Sequence, residues 1–322
     1  MERFWMGGVL AEDLQEIRND LAAVCEGGFW AVLGTFEGEW TCARFSKISR
    51  IGFAKSTGNL KLSNWNSSID RDKYLKYVES IREEIAKGTF YQVNACRILS
   101  AEISGGTAAS IFPKILEKNP APYAALFELP GFELVSASPE RFISIHDGVI
   151  KSSPIKGTSP NREFKDKDRS ENLMIVDLMR NDLGKICETG SITTPRINGI
   201  EAHPGLFHLV SDITGKVRTD IGIAQVIDEL MPPGSVSGAP KNSALQMIKN
   251  WEGDRGPYCG TFGWVENGNC ELAVSIRTFW RDGDTLKFGT GAGITWGSDA
   301  GAEWEETELK ASRLISIASD QT

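Results

Sequence analysis

The stretch YAALFELPGFELVSASPERFISIHDGVIKSSPI, residues 123–155, restricts the fold more than any other part of the chain. Its apolar residues fall in short segments with a period near two, and Pro-Gly, Pro-Glu and Asp-Gly steps separate them. That pattern is a run of short strands joined by turns. FWAVLGTF and WTCARFSKI within residues 28–65, and FYQVNACRILSAEI at 90–103, continue it. Thr261 to Thr295 reads as three strands in hairpins, with turns at ENGN and RDGD. Helical spacing occurs in four places. Asp70 to Gly88 carries Tyr74, Val78, Ile81 and Ile85 on one face; GIAQVIDELM (222–231) is amphipathic; GAEWEETELKASRLISIAS closes the chain. SENLMIVDLMRNDL (170–183) is apolar almost all round and is expected to be a buried helix. Helices interrupt the strand runs without alternating one for one. There is no internal repeat and no low-complexity linker, so the expected fold is one large α+β or mixed α/β domain over residues 1–322.

The net charge of −8 argues against a nucleic-acid binder, which needs a basic face. A small anionic substrate would need a local cluster of Lys, Arg or metal. The six cysteines form no CxxC pair and suggest neither a zinc site nor a disulfide framework. No apolar run approaches the roughly 18 residues of a membrane span. MERFWMGGVLAED turns acidic too early for a signal peptide, and the chain is expected to be cytoplasmic.

Three features raise chemical questions. Lys156, in SSPIKGTSP, follows a strand and precedes a polar loop; a solvated charge, an ion-pair partner and a nucleophile all remain open. Glu303, Glu305, Glu306 and Glu308 crowd the start of the last helix. At roughly 100° per residue, Glu303, Glu306 and Lys310 share a face beside a stripe of Trp304, Ala311, Ile315 and Ala318. An acidic first turn favours the helix dipole, whereas two carboxylates one turn apart also suit Mg²⁺. Glu171 is a third candidate ligand, although Asp168-Arg-Ser-Glu171 also resembles a capping box. PPGSVSGAPK (232–241) fails both the Walker and the GxSxG patterns. Pro240 suits a helix start there, and Lys241 with the first N–H groups would favour an anion. GTGAGI (289–294) permits close backbone approach but lacks the context of a dinucleotide fingerprint.

Taken together, SPERF (138–142), PIKGT (154–158), ENLMIVDLMRNDLGKI (171–186), HLVSDITG (208–215), PPGSVSGAPK, GTFGWV with AVSIRT (260–278), GAGITW (291–296) and EWEETELKA (303–311) occur in the order found in chorismate-utilising enzymes. From about Asp70 onward the chain resembles that family, and within it the aminodeoxychorismate synthase component I type, with anthranilate synthase component I as the neighbouring type. The resemblance implies stacked β-sheets flanked by helices, with the active site between them. It implies Mg²⁺ held by Glu171, Glu303 and Glu306, with Asp168 nearby, against the ring carboxylate of chorismate. It assigns Glu140 as the general acid toward the departing C4 hydroxyl. His208, Tyr258, Arg277, Lys310, Ser237, Gln92 and the backbone around Thr158, Gly291 and Gly293 become substrate contacts. Arg277 would pair with the enolpyruvyl carboxylate.

Two positions separate reaction types by the same resemblance. Isochorismate and salicylate synthases carry a water-activating lysine where this chain has Gln92. Anthranilate synthases usually have alanine where this chain has Lys156. A lysine amine adding at C2 and expelling the C4 hydroxyl, then ammonia adding at C4 and expelling the lysine, gives amination with retention; anthranilate formation needs no such adduct. The amine must be unprotonated although a free lysine has a pKa of about 10.4. The chain departs from the family in a shorter loop after Thr158, in Ser159 and Asn161 where arginines are common, in Gly297, and in a shortened region before Asp70. No match to a tryptophan-feedback motif occurs. Cys259 lacks the setting of a glutaminase nucleophile, so ammonia is expected from a separate glutamine amidotransferase subunit. Anthranilate synthesis, isochorismate or salicylate synthesis, and non-catalytic chorismate binding stand as alternatives.

Overall fold

The computed structural model describes residues 2–53, 59–159, 161–164, 166–203 and 206–320. The paired strands among them are all antiparallel, as tight turns between short strands demand. One arm of the ladder runs from Thr193–His203 through Leu206–Lys216, Val149–Ser153, Arg141–His146, Asn269–Val274 and Thr261–Glu266 to Phe29–Gly34. It continues through Trp40–Arg50, Val9–Arg18, Arg3–Met6, Tyr123–Leu129, Phe132–Ser138, Thr278–Asp282 and Thr285–Ile294 to Gln92–Gly105.

Two neighbouring pairs turn a corner together. Phe132–Ser138 and Arg141–His146 are halves of one run that bends at Pro139-Glu140, and the run beside it bends at Ser275–Arg277. The bends are bonded to each other: the Ala137 N–H donates to the Arg277 carbonyl at 3.0 Å and the Val274 N–H to the Glu140 carbonyl at 3.0 Å. Arg277 takes a left-handed φ of +53°, which a long side chain adopts at a cost in backbone strain. Strands that change direction at such bends let one part of a sheet face another. The fold is therefore α+β with a large antiparallel sheet, as its sequence pattern indicates.

Helices cover the sheet. Arg71–Ala86 starts at Asp70, whose side chain accepts from the Lys73 N–H, and buries Tyr74, Tyr77, Val78 and Ile81. It packs on the last helix, Ala300–Ser319, which lies over Thr285–Ile294. Buried Arg97 fastens that helix: its guanidinium sits 4.2 Å from the Trp304 ring, donates to Thr307 Oγ1 at 3.0 Å, and pairs with Glu308. Thr290 Oγ1 donates to the Thr307 carbonyl at 2.7 Å. The register of the glutamates over the GTGAGI strand is thus fixed from below.

Three expectations change. Residues 261–294 form four strands, because the bend at Ser275–Arg277 divides one of them. Helix Asp166–Gly184 is amphipathic rather than buried all round: Leu173 is 45% exposed, while polar Asn172 is fully buried and donates to the Leu209 carbonyl at 3.3 Å. The helix already begins at Asp166, so Asp168 lies in its first turn rather than at the cap position expected for it. The cysteines are free thiols, five of them buried, and no described helix is long and apolar enough to cross a membrane.

The strand Thr285–Ile294 tolerates no side chain at Gly289, where a Cβ would come within 2.0 Å of the Tyr258 ring. Gly289→Ala should destabilise the fold by about 1–3 kcal/mol, the range for overpacking a filled core. Urea unfolding of the two proteins measures it; equal midpoints would show that the ring moves aside freely.

Candidate active site

Glu140 sits in the corner itself and is 3% exposed. The Ser235 side chain and the Ile155 N–H hydrogen-bond its carboxylate, and Lys156 and Arg277 act on it electrostatically. Burial is the largest influence and outweighs all of these, pushing its pKa from 4.5 to about 7. A carboxyl tuned to that value holds a proton near neutral pH and can donate it.

Lys156 lies on Ile155–Ser159, the strand paired with Leu206–Lys216, near one end of the ladder. Its Nζ donates to the Ser235 carbonyl at 3.0 Å. The residue keeps some surface, but the amine is shielded, and this loss of solvent is the main cause of a lowered pKa. The carboxylates of Glu171, Glu140 and Glu306 oppose the fall, and Lys310 assists it. The net direction is toward a free amine, the form a nucleophile needs.

The far end of the ladder meets this amine. A Cβ built on Gly293 would stand 3.5 Å from Lys156 Nζ and 2.5 Å from Gln92 Nε2. The lysine and glutamine singled out in the sequence therefore flank one glycine, from strands at opposite ends of the ladder. Gln92 is 2% exposed, and its Oε1 has no hydrogen-bond partner among the described residues. Such a buried acceptor is costly unless something donates to it. Arg277, in its bend, has a pKa lowered by burial and supported by Glu140. It keeps its charge and makes no side-chain hydrogen bond or ion pair among the described residues, which leaves its fork available to an anion.

The remaining predicted residues divide. Gly291 has no room for a Cβ, 2.6 Å from both the Ala95 carbonyl and Cys96 Sγ, and its own carbonyl accepts from Lys310 Nζ at 3.1 Å. Lys310 also pairs with Glu306 at 2.6 Å. His208 is 1% exposed and stands opposite Thr158 in register; of Thr158 only the backbone is described. Tyr258 is buried with its ring against Gly289 and its hydroxyl toward Cys96, so it supports the strand Thr285–Ile294. Ser237 turns inward: its hydroxyl donates to the Pro233 carbonyl at 3.1 Å and closes its own loop. Ser235, which sequence reasoning passed over, is the serine that meets the Glu140–Lys156 pair; two serines in one glycine-rich loop gave no signal to choose between them. Lys241 holds Asp182 at 2.9 Å and the Leu230 carbonyl at 3.2 Å, so it is not the anion ligand expected at that helix start.

The four acids expected around Mg²⁺ are only partly gathered. Glu171 and Glu306 both act on Lys156 from separate helices. Asp168 packs on Gly157, and Glu303 is buried one turn before Glu306. No three His, Cys, Asp or Glu side chains among the described residues form a metal-holding cluster. The donors are hard carboxylate oxygens, which suit Mg²⁺ in kind, without a preassembled shell. A separate cavity of about 960 Å³, lined in part by Trp40, Arg97, Phe132, Glu252, Arg255 and Trp280, contains none of the predicted residues. Glu140 and Lys156 do not line it.

Comparison with known proteins agrees with this placement of the fold. A family model described as chorismate binding enzyme matches residues 36–316, starting well before Asp70, where the sequence reading set the start of the likeness. Anthranilate synthase component 1 of Saccharolobus solfataricus is 32% identical over 282 residues, covering 83% of this chain and 67% of that protein. Aminodeoxychorismate synthase component 1 of Klebsiella aerogenes is 34% identical over 268 residues, covering 79% and 59%. The chain thus spans about three fifths to two thirds of the length of these relatives. The crystal structure of anthranilate synthase component I from Streptococcus pneumoniae superposes with a TM-score of 0.84 at 22% identity, covering 97% of this chain and 92% of that one. MenF, the menaquinone-specific isochorismate synthase of Escherichia coli, gives 0.83 at 18%, covering 99% and 89%.

Glu140 has a consequence for stability. Its pKa is raised on folding, so the folded chain binds the proton more tightly, and stability falls as pH rises from about 4.5 to about 7. Glu140→Gln removes that dependence. It should be more stable than the parent above neutral pH by about 3 kcal/mol and similar at acid pH. Urea melts across this range measure it; parallel pH curves would show that Glu140 is not held protonated.

Proposed function

The chain belongs to the chorismate binding enzyme family, and on that premise we propose that it replaces the C4 hydroxyl of chorismate with ammonia, giving 4-amino-4-deoxychorismate. The observation that carries the choice is the lysine amine at position 156, shielded and shifted toward its neutral form beside a carboxyl shifted toward its protonated form. Amination at C4 with retention uses both groups. Lys156 adds at C2 while Glu140 protonates the departing C4 oxygen, so one C–N bond forms, one C–O bond breaks and water leaves. The first addition shifts both ring double bonds; ammonia then adds at C4, both shift back, the lysine is expelled as a free amine, and the ammonium formed at C4 returns a proton to Glu140. The Ser235 carbonyl aims the amine throughout, at 3.0 Å from Nζ. Proton donation by Glu140 contributes on the order of 10²- to 10⁴-fold.

Arg277 and Lys310 supply the local positive charge that an anionic substrate needs in a chain of net charge −8. Arg277 would take the enolpyruvyl carboxylate. Glu171, Glu303 and Glu306, with Asp168 nearby, would hold Mg²⁺. Bound there, the ion would neutralise the ring carboxylate of chorismate. Gln92 has no basic nitrogen to activate water, which disfavours isochorismate formation. We further propose that a separate glutamine amidotransferase delivers the ammonia and that the product feeds 4-aminobenzoate and folate synthesis in the cytoplasm. Anthranilate synthesis is the second reading, because relatives of both types match at similar identity.

The deciding experiment incubates the chain with chorismate, ammonium and Mg²⁺ and separates the products. Aminodeoxychorismate is expected, and fluorescent anthranilate without an added lyase would overturn the choice. Lys156→Ala should abolish 4-amination while leaving chorismate binding, read by competition with a substrate analogue. Unchanged turnover would remove the covalent step. Glu306→Gln should raise the Mg²⁺ concentration for half-maximal rate; an unaltered titration would make Glu306 only a partner of Lys310.

A further inference from the structure

Ser235 presents two groups to the catalytic pair: its carbonyl to Lys156 and its side chain to Glu140. It lies in the short turn Gly234–Val236, whose own bonds are local. The Val236 N–H donates to the Pro233 carbonyl at 3.2 Å, and the Ser237 hydroxyl donates to the same carbonyl. Such bonds hold the shape of the turn but not its place in the molecule.

Its place is set by the pairing of Gly238–Ala239 with Gln92 and Val93, by Gly234 against Leu178, and by the residue next to Ser235. The Val236 carbonyl accepts from Arg255 Nη1 at 3.1 Å, and Nη2 of the same guanidinium donates to the Asn94 carbonyl at 2.7 Å. Asn94 lies on the strand that carries Gln92, and its N–H donates to the Ser237 carbonyl at 2.9 Å. Arg255 therefore clamps the turn to the strand. Arg255 is 1% exposed, and its charge is balanced by Glu252, bonded at 2.8 Å from Nε and 2.8 Å from Nη2. Glu252 in turn accepts from the Cys96 N–H at 2.9 Å and the Tyr77 hydroxyl at 2.9 Å. The guanidinium lies 4.4 Å from the Phe36 ring. Glu37 takes the backbone N–H groups of Arg255 and Gly256 at 2.7 and 3.0 Å. Among the described residues, neither Arg255, Glu252 nor Glu37 hydrogen-bonds Glu140 or Lys156.

We propose that Arg255 is a positioning residue, whose guanidinium fork sets the Gly234–Val236 turn so that Ser235 meets Lys156 and Glu140. This rests on the functional reading given above. A lysine at 255 would keep a positive charge beside Glu252 but could not span two carbonyls, because its donor is a single point rather than a planar fork. Removing the charge alone would strand a buried carboxylate and destabilise the fold. The second variant is therefore Arg255→Met combined with Glu252→Gln.

In both variants kcat should fall about a hundred-fold, the cost of displacing a reacting group by roughly 1 Å. The KM for chorismate should be unchanged, because Arg255 makes no contact with the site. The pH profile carries a second signature. The Ser235 side chain lowers the Glu140 pKa, while Lys156, Arg277 and the Ile155 N–H also face that carboxyl and remain in place. Losing Ser235 lets Glu140 keep its proton to higher pH, so the high-pH limb of kcat moves up. A folded variant with parental kcat and limb would overturn the proposal. So would a fall in kcat that matches the unfolded fraction with no movement of the limb. A crystal structure of Arg255→Lys separates this claim from the functional reading. If the parent consumes no chorismate, that reading fails. The variant crystal still decides the positioning role: a Ser235 carbonyl still within hydrogen-bond distance of Lys156 Nζ overturns it, and a displaced one sustains it.

Discussion

The withdrawal of Glu140 and Lys156 from water is the constraint on which the site depends. In water the carboxyl would be ionised and the amine protonated, and neither would be in the form that the proposed amination uses. Burial disfavours both charged forms at once, raising one pKa and lowering the other. A close ion pair would undo this, since each charge stabilises its opposite. Arg277 and Lys310 do not reverse it. Lys310 pushes further toward the neutral amine, and the stabilisation that Arg277 gives the Glu140 carboxylate is smaller than the cost of burial. The Ser235 carbonyl then gives the amine a direction without giving it a charge.

Holding two such groups together needs a scaffold that does not yield. The antiparallel ladder supplies it by bending. Glu140 and Arg277 stand at adjacent bends that hydrogen-bond to each other, so acid and guanidinium are set by backbone rather than by long side chains. The same bending brings Lys156, near one end of the ladder, against Gly293, near the other. Glycine there leaves the space that the amine and Gln92 occupy. The last helix is stitched to the strands beneath it by Arg97, Thr290 and Lys310, which fixes where Glu303 and Glu306 stand. Rigid support of this kind is what a reacting geometry needs.

Much of this was legible in the sequence. Period-two segments with turns between them gave the strands, and the Asp70 cap with Tyr74, Val78 and Ile81 gave the first long helix. The sequence marks Lys156 as a lysine between a strand and a loop, whereas the fold sets it on a further strand, Ile155–Ser159. Local pattern failed where tertiary contacts decide. SENLMIVDLMRNDL reads as apolar all round, yet its exposed face is set by which neighbours pack on it, and they bury Asn172 and leave Leu173 in water. The bend at Ser275–Arg277 interrupts a strand without a proline or glycine to mark it. Ser235 and Ser237 are indistinguishable in a loop composed of glycine, proline and serine; only the folded turn shows that one faces the pair and the other faces its own backbone.

The sequence by itself determined most of the strands and the long helices and, through its ordered motifs, the family, because local periodicity and motif order are written in the order of residues. The tertiary structure alone decided which strands meet. It decided that the corner buries Glu140, that Gly293 faces Lys156, and that Lys241 serves Asp182 rather than an anion. Charge state is a property of surroundings. No residue carries its own dielectric, and the shifts that make an acid and an amine of these two side chains exist only once residues distant in sequence have excluded the water between them.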